Sequence, residues 1–210
     1  MVSLATIIIV SYLLGSIPFG YMAGRIAGID IRNAGSGNVG ATNVVRVLGK
    51  RYGYPVFALD VLKGFAAVKI SMAICGQHPE WNSPEISGMV AATSSVLGHV
   101  FPPWLKFKGG KGVATAAGAL LALTPIATFM GVAVWIIVFW LTRYVSLASV
   151  VATVALPILI LIFGAPDRHS GTLLAYCSVC VAALVVWRHR SNLSRLLRGT
   201  EPRFIRKGKL

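Results

Sequence analysis

The sequence predicts an all-α integral membrane protein that crosses the membrane with seven helices. Hydrophobic residues make up 56% of its 210 residues and charged residues only 12%, whereas soluble domains usually carry about 25% charged residues. The mean hydropathy is +0.74, and the apolar residues stand in long blocks separated by short polar stretches. A soluble enzyme, a nucleic-acid-binding domain and a disordered protein are therefore excluded.

Seven apolar blocks account for the predicted transmembrane helices. They span residues 3–24, 54–75, 85–104, 112–124, 126–142, 145–164 and 171–187. The fourth block is shorter than the roughly 20 residues that cross the hydrocarbon core, and Thr124-Pro125 separates it from the fifth. No basic residue precedes the first block, so we expect it to remain as an anchor and not to be cleaved as a signal peptide. We expect a single membrane-embedded domain over residues 1–210.

The distribution of Lys and Arg predicts the orientation of these helices. Alternate connections hold 17 of the 20 Lys and Arg residues, the other connections hold only Arg168, and Lys63 and Lys69 lie inside the second block. Because short cytoplasmic loops are enriched in Lys and Arg, the first set of connections is predicted to be cytoplasmic. The N-terminus is then outside and the C-terminus is cytoplasmic.

The first glycine segment, residues 33–46, has the composition of an anion-binding loop. Glycines let the backbone approach a ligand and turn its N–H groups toward an anion, and an arginine fork suits phosphate. The predicted ligand-binding residues are Ser36, Gly37, Asn38, Thr42, Asn43 and Arg46. A flexible linker is the alternative. The GxGxxG spacing at residues 35–40 does not indicate a dinucleotide fold, because no βαβ unit fits between two membrane spans.

The second glycine segment, residues 106–118, opens the fourth apolar block. Lys111 lies between Gly110 and Gly112, and the exposed N–H groups at a helix N-terminus favour an anion. The spacing is not that of a Walker A loop. We predict a phosphate site at Gly110 and Lys111; the alternative is a basic loop that contacts anionic lipid, which is our interpretation of Lys106.

The exit segment, residues 188–193, follows the last apolar block. Its His189 and Asn192 are three residues apart, so on a continuing helix they face the same way. Histidine can accept a proton near neutral pH or donate a hydrogen bond to an anion. Ser146, close to Arg143 at the start of the sixth block, is a further predicted donor on the cytoplasmic face.

Other polar residues inside the blocks allow more than one interpretation. Asp60 and Lys63 are three residues apart in the second block; they are able to pair, and a structural pair and a role in the site both remain open. A lone histidine at a helix end, such as His99, is more often structural than a ligand. The CxxC at residues 177–180 is interpreted as packing. We expect no cofactor and no metal, because the cytoplasmic loops lack carboxylate clusters.

The three segments resemble the signature motifs of the bacterial acyl-phosphate:glycerol-3-phosphate acyltransferase family. The similar stretches read GSGNVGATN at residues 35–43 followed by Arg46, GGKGVAT at 109–115 and RHRSN at 188–192. Further similar stretches are LLGS at 13–16, LD at 59–60, LKG at 62–64 and YVSLAS at 144–149. The resemblance covers nearly the whole chain in the same order.

The resemblance implies an enzyme of the bacterial inner membrane with a cytoplasm-facing site. Its reaction would move a fatty acyl group from acyl phosphate to the 1-hydroxyl of glycerol 3-phosphate, giving lysophosphatidic acid and inorganic phosphate in the first acylation step of phospholipid synthesis. The catalytic residues would be Ser36, Lys111, His189 and Asn192, and either His189 or a substrate phosphate would accept the proton. The expected partners are both substrates, membrane lipid and the enzyme that makes acyl phosphate, but no nucleic acid.

Two other function classes fit the sequence less well. Acyltransferases that use acyl-CoA or a carrier protein have an HxxxxD motif, and no histidine of this chain is followed by Asp at that spacing. A transporter or channel for a phosphorylated anion is the alternative function. Against it, the sequence has no internal repeat, and its motifs lie on one predicted face of the membrane instead of near the midplane.

Overall fold

The computed structural model describes residues 4–76, 83–163 and 168–204, and the regular elements in these ranges are all helical. The predicted all-α fold is therefore confirmed. The chain divides into two compact units, Met1–Leu123 and Thr124–Leu210.

The first unit contains six α-helices in its described residues. They are α1 (Leu4–Gly15), α2 (Phe19–Ile26), α3 (Ala41–Leu48), α4 (Lys50–Gly76), α5 (Pro84–Val100) and α6 (Val113–Leu123), and short 3-10 turns lie at Ile31–Asn33 and Pro103–Leu105. The apolar block predicted over residues 3–24 forms two helices instead of one. Pro18 explains the break before α2, because proline disfavours helical backbone at the preceding residue and has no N–H to donate.

Glycines allow the helices of the first unit to approach each other at backbone contact. A Cβ atom on Gly15 of α1 or on Gly98 of α5 would lie 2.0 or 2.1 Å from a carbonyl oxygen of the other helix. Gly64 of α4 and Gly118 of α6 create the same close approach between those two helices. Small residues at helix contacts are typical of membrane proteins, in which close van der Waals packing drives helix association.

The second unit has four α-helices in its described residues. They are α7 (Pro125–Thr142), α8 (Val145–Phe163), α9 (Arg168–Arg188) and α10 (Arg190–Leu197). The predicted break at Thr124-Pro125 is confirmed, since Pro125 occupies the first position of α7. The Trp135 indole on α7 donates to Ser149 Oγ on α8 at 3.1 Å, which connects these two helices.

Within the described residues, four segments are long and apolar enough to cross a membrane. They are Leu4–Ile26, Pro125–Thr142, Val145–Phe163 and Gly171–Arg188, with hydropathies between 1.7 and 2.6. The helix at Val113–Leu123 is apolar but shorter, as predicted. Helix α4 is long, but Asp60, Lys63 and Lys69 reduce its apolar character. Large apolar side chains are exposed on α7, α8 and α9, as expected for helices that face lipid.

Candidate functional site

Asn43 holds the first glycine segment in shape from the inside. Its side chain is buried, and its Oδ1 accepts the backbone N–H of Ser36 at 2.8 Å. Its Nδ2 donates to the carbonyls of Ala34 and Asn38 at 3.0 and 2.9 Å, so both amide hydrogens are used. The sequence predicts Asn43 as a ligand-binding residue, but the structure places it as an internal support of the loop.

The conformation of this loop depends on further local contacts. Asn38 Oδ1 accepts the backbone N–H of Gly40, the N-cap residue of α3, at 2.8 Å. Gly37 has a φ of 70°, in the left-handed region that side chains other than that of glycine rarely adopt. The loop therefore reaches α3 by a tight turn, to which Asn38 contributes a cap contact; ligand binding by Asn38 stays a prediction.

The outward-facing groups of the first glycine segment are those suited to a ligand. Ser36 and Arg46 are exposed, and Thr42 lies one turn before Arg46 on the same face of α3. Arg32, just before the segment, is instead engaged by Asp30, with its Nε at 2.9 Å from Asp30 Oδ1. Hydrogen bonds from Arg32 lower the pKa of Asp30 to about 2. Arg46 is thus the guanidinium that this segment offers to an anion.

The second glycine segment is bonded to the end of α5. Gly109 N–H donates to the Val100 carbonyl at 3.0 Å, and Gly110 N–H donates to the His99 carbonyl at 3.1 Å. Lys111 is half-buried, two residues before the start of α6, so its predicted place at the entrance of a helix is confirmed. An anion beside Lys111 would meet its positive charge and the first N–H groups of α6.

A buried charge cluster lies next to this connection. Lys63 Nζ is 2.8 Å from Asp60 Oδ1 and also donates to the Ile17 carbonyl at 2.8 Å. His99 Nδ1 lies 3.6 Å from the same Asp60 oxygen, and the cluster of Asp60, Lys63 and His99 is buried. The predicted Asp60–Lys63 pair is confirmed. The sequence does not identify His99 as the third member of this cluster. Asp60 and Lys63 are three residues apart on α4, but His99 lies on α5, and no sequence pattern shows that the two helices meet there.

A small pocket connects this cluster with the first glycine segment. Its lining includes Val39 from that segment, the three cluster residues, Pro102 and the chain between α1 and α2. Val39 also packs in one apolar core with Leu105, which directly precedes the second glycine segment. The two glycine segments, which are distant in sequence, are therefore neighbours in the first unit.

The exit segment, in the second unit, does not continue α9. The helix ends at Arg188 and α10 begins at Arg190, with His189 between them, so the condition of a continuing helix, under which the two side chains would face the same way, is not met. His189 and Asn192 are both buried. His189 Nδ1 lies 2.8 Å from the Val185 carbonyl oxygen. When Nδ1 carries the proton in this contact, Nε2 is the acceptor nitrogen of the ring.

Glu201 brings predicted site residues of the second unit together. Its Oε1 accepts hydrogen bonds from Ser146 Oγ and Asn192 Nδ2, both at 2.7 Å, and its Oε2 accepts one from Arg195 Nε at 2.8 Å. Burial by itself raises the pKa of Glu201, but these hydrogen bonds outweigh burial, so the pKa is lowered. Ser146 and Asn192 therefore each donate a hydrogen to a carboxylate that the sequence analysis does not identify.

The position of Glu201 is fixed by contacts of the tail that follows α10. Arg203 Nε donates to the Tyr144 hydroxyl at 3.0 Å, and the Phe204 N–H donates to the Arg143 carbonyl at 2.9 Å. These contacts hold the tail against the turn between α7 and α8. One sequence signal points to Glu201, because it is the sole acidic residue of the basic stretch 188–210.

The predicted site residues fall into both units. The first unit contains Ser36, Gly37, Asn38, Thr42, Asn43, Arg46, Gly110 and Lys111, and the second contains Ser146, His189 and Asn192. Among the described residues, no group of three or more His, Cys, Asp and Glu side chains is arranged to hold a metal ion.

Comparisons with known proteins give a consistent result. The sequence profile described as glycerol-3-phosphate acyltransferase matches residues 5–199. A glycerol-3-phosphate acyltransferase of Aquifex aeolicus (strain VF5) is 44% identical over 198 residues, which cover 94% of this chain and 97% of that relative.

Two solved structures have the same fold as this chain. One is the glycerol 3-phosphate form of PlsY, an integral membrane glycerol 3-phosphate acyltransferase, with a TM-score of 0.84, 41% identity and 96% of both chains covered. The other is its lysophosphatidic acid form, with a TM-score of 0.81, 40% identity and coverage of 96% of this chain and 95% of that chain.

Proposed function

The chain belongs to the glycerol-3-phosphate acyltransferase family, and on that premise we propose that it acylates the 1-hydroxyl of glycerol 3-phosphate with acyl phosphate as the donor. The products are lysophosphatidic acid and inorganic phosphate, in the first acylation step of phospholipid synthesis. The glycerol 3-phosphate and lysophosphatidic acid forms of the similar structure support this substrate and product. The absence of HxxxxD from the sequence supports a donor other than acyl-CoA.

The strongest structural support comes from the second glycine segment. Lys111 stands at the entrance of α6, after two glycines whose N–H groups are bonded to the end of α5. Both proposed substrates carry a phosphate, and a lysine at a helix N-terminus is suited to bind one. We assign Lys111 and Gly110 to phosphate binding, together with Ser36, Gly37, Asn38, Thr42 and Arg46 of the first glycine segment.

The proposed reaction is a direct transfer without an acyl-enzyme. The 1-hydroxyl oxygen of glycerol 3-phosphate attacks the acyl carbon, the bond between that carbon and the phosphate oxygen breaks, and inorganic phosphate leaves. The hydroxyl proton passes to His189 or to a substrate phosphate. Ser36 and Lys111 stabilise the developing negative charge, while His189 and Asn192 position glycerol 3-phosphate. Asn43 and Glu201 support these residues instead of contacting substrate.

The location that we propose follows from the charge distribution. The chain has seven spans, one for each apolar block of the sequence, in a bacterial inner membrane. The N-terminus lies outside and the site faces the cytoplasm, since 17 of 20 Lys and Arg residues lie in one set of connections. Residues 1–210 act as one acyltransferase domain. Membrane lipid surrounds the apolar helices, and the enzyme that makes acyl phosphate is the proposed partner for donor supply.

Phosphate release from palmitoyl phosphate tests the proposed function. Purified protein in a lipid phase should release phosphate when glycerol 3-phosphate is present, and palmitoyl-CoA should not replace the donor. Lys111→Ala should lower this rate by about 10²-fold or more, because a preorganised charge at the reacting phosphate is lost. The matched control is Lys106→Ala, which removes an exposed lysine from the same loop and should leave the rate unchanged.

Two results would contradict this assignment. Release that does not depend on glycerol 3-phosphate would indicate hydrolysis and not transfer. An equal loss in Lys106→Ala and Lys111→Ala would show that the basic loop acts through its overall charge and not through a phosphate site at Lys111.

A further inference from the structure

The buried cluster of Asp60, Lys63 and His99 is not used by the proposed reaction steps. Asp60 and Lys63 are each 3% exposed, and charges buried in an apolar helix are costly unless they are paired and hydrogen-bonded. Lys63 satisfies part of this need by bonding to Asp60 and to the Ile17 carbonyl. A simple pair of charges would not, however, require His99 from a different helix.

One edge of the His99 ring faces Asp60. His99 Nδ1 is the ring nitrogen that faces Asp60 Oδ1, at 3.6 Å. A carboxylate beside one imidazole nitrogen favours a proton on that nitrogen. The opposite edge of the ring, which carries Nε2, is then directed away from Asp60 in a defined orientation.

That opposite edge lies against the second glycine segment. A Cβ atom built on Gly110 would be 2.1 Å from His99 Nε2, so the ring occupies the space that any larger residue at position 110 would need. Gly110 N–H also donates to the His99 carbonyl. His99 therefore contacts Gly110 through its ring and its backbone, immediately before Lys111.

We infer that His99 is a positioning residue that, oriented by Asp60 and Lys63, sets the path of the second glycine segment and so places Lys111 for phosphate binding. This inference rests on the proposed role of Lys111 as a phosphate ligand. The cluster acts through the second glycine segment, and its effect is on binding of the substrate whose phosphate Lys111 holds. A misplacement of a binding group by about 1 Å can cost about 10²-fold in activity.

A double-mutant cycle between positions 99 and 110 tests this inference. Gly110→Ala should raise the KM of the substrate that Lys111 binds by about tenfold or more, because the added methyl displaces the ring and the turn. His99→Ala should raise the same KM and leave the KM of the other substrate unchanged. The combined variant has room for the methyl. The factor by which it raises the KM should therefore be at least about tenfold smaller than the product of the factors for the two single variants.

The variant Lys111→Arg identifies the substrate that Lys111 binds, because only the KM of that substrate should change. Thr93→Val, a change two turns earlier on α5 that removes a hydroxyl bonded to the Met89 carbonyl, is the control for a general disturbance of that helix. If His99→Ala does not fold, His99→Asn replaces it in the cycle, because it keeps a donor toward Asp60 and lacks the edge that meets Gly110.

Binding of inorganic phosphate, measured as the rise in Tm that it causes, separates this inference from the proposed reaction. A rise that is smaller than the wild-type rise in both single variants, and no smaller in the combined variant than in His99→Ala alone, supports the positioning role, even if palmitoyl phosphate proves not to be the donor. Single effects that multiply, or equal changes in both KM values, would overturn the inference and leave the cluster as a structural charge pair.

Discussion

Glu201 is the residue on which three donors of the second unit converge. Replacing it by Gln turns one acceptor atom into a donor, so at least one of Ser146, Asn192 and Arg195 loses its partner. Hydrogen bonds to a charged group contribute about 1.5–3 kcal/mol. We therefore expect Glu201→Gln to lower the Tm of the purified protein in detergent by at least about 3 °C. The matched control is Glu85→Gln, at an exposed position in the first turn of α5.

The pH dependence of this difference has a definite sign. The folded state lowers the pKa of Glu201, so its stabilising effect is fully present above the unfolded pKa of about 4.3. The effect is lost as the pH falls through the lower folded value. The Tm difference between the wild type and Glu201→Gln should thus be constant near neutral pH and shrink below about pH 4.3. A difference that grows as the pH falls would contradict the assignment.

At the scale of single residues, the sequence predicts chemistry better than orientation. Lys111 was predictable because its flanking glycines and the helix that follows define its surroundings locally. Asn43 has the same polar character as its neighbours, but the path of the folded loop turns its amide inward. The role of His99 depends on contact between α4 and α5, and that of Glu201 on contact between the tail and α8. Neither contact leaves a periodic pattern in the sequence.

At the scale of helices, the close approach of α4 and α6 sets a limit on side-chain size. A Cβ atom on Gly118 would lie 1.9 Å from the Val61 carbonyl oxygen, and the opposing atom is backbone and cannot rotate away. Overpacking of this kind typically costs about 1–3 kcal/mol. Gly118→Ala should therefore lower the Tm, whereas Ala117→Ser, one position earlier on a half-buried face, should change it little. Equal Tm values for Gly118→Ala and the wild type would show that the helices separate without cost.

The helix boundaries show where local signals are sufficient. Pro125 starts α7 as predicted, because proline fits the first turn of a helix and not its interior. Pro18 likewise indicates a helix break within the first apolar block. Because that block is apolar throughout, its hydropathy predicts one continuous helix. The end of α9 at Arg188 has no proline or glycine nearby. The contact of His189 with the Val185 carbonyl accompanies that turn, and it is visible only in the folded chain.

At the scale of the whole molecule, hydropathy and charge give different amounts of information. Helix length and hydropathy together identify four long spans in the described residues. Helix α4, which contains the apolar block 54–75, is not among them because it carries Asp60, Lys63 and Lys69, although Asp60 and Lys63 neutralise each other. The count of seven spans depends on the apolar blocks of the sequence, whereas the unequal distribution of Lys and Arg between connections predicts their orientation. Together, the seven blocks and that distribution make a prediction about the side of the membrane on which each connection lies.

Labelling of single cysteines tests this sidedness. In a background with Cys75, Cys177 and Cys180 changed to serine, Ser83→Cys is predicted to lie outside and Thr200→Cys on the cytoplasmic face; both native positions are exposed. A membrane-impermeant maleimide should label Ser83→Cys in intact spheroplasts and Thr200→Cys only after lysis, because Thr200 lies in the set of connections that holds 17 of the 20 basic residues and is predicted to be cytoplasmic. Retained glycerol 3-phosphate-dependent phosphate release confirms that each variant is folded. Labelling of Thr200→Cys before lysis would reverse the orientation and move the glycine segments away from the cytoplasm.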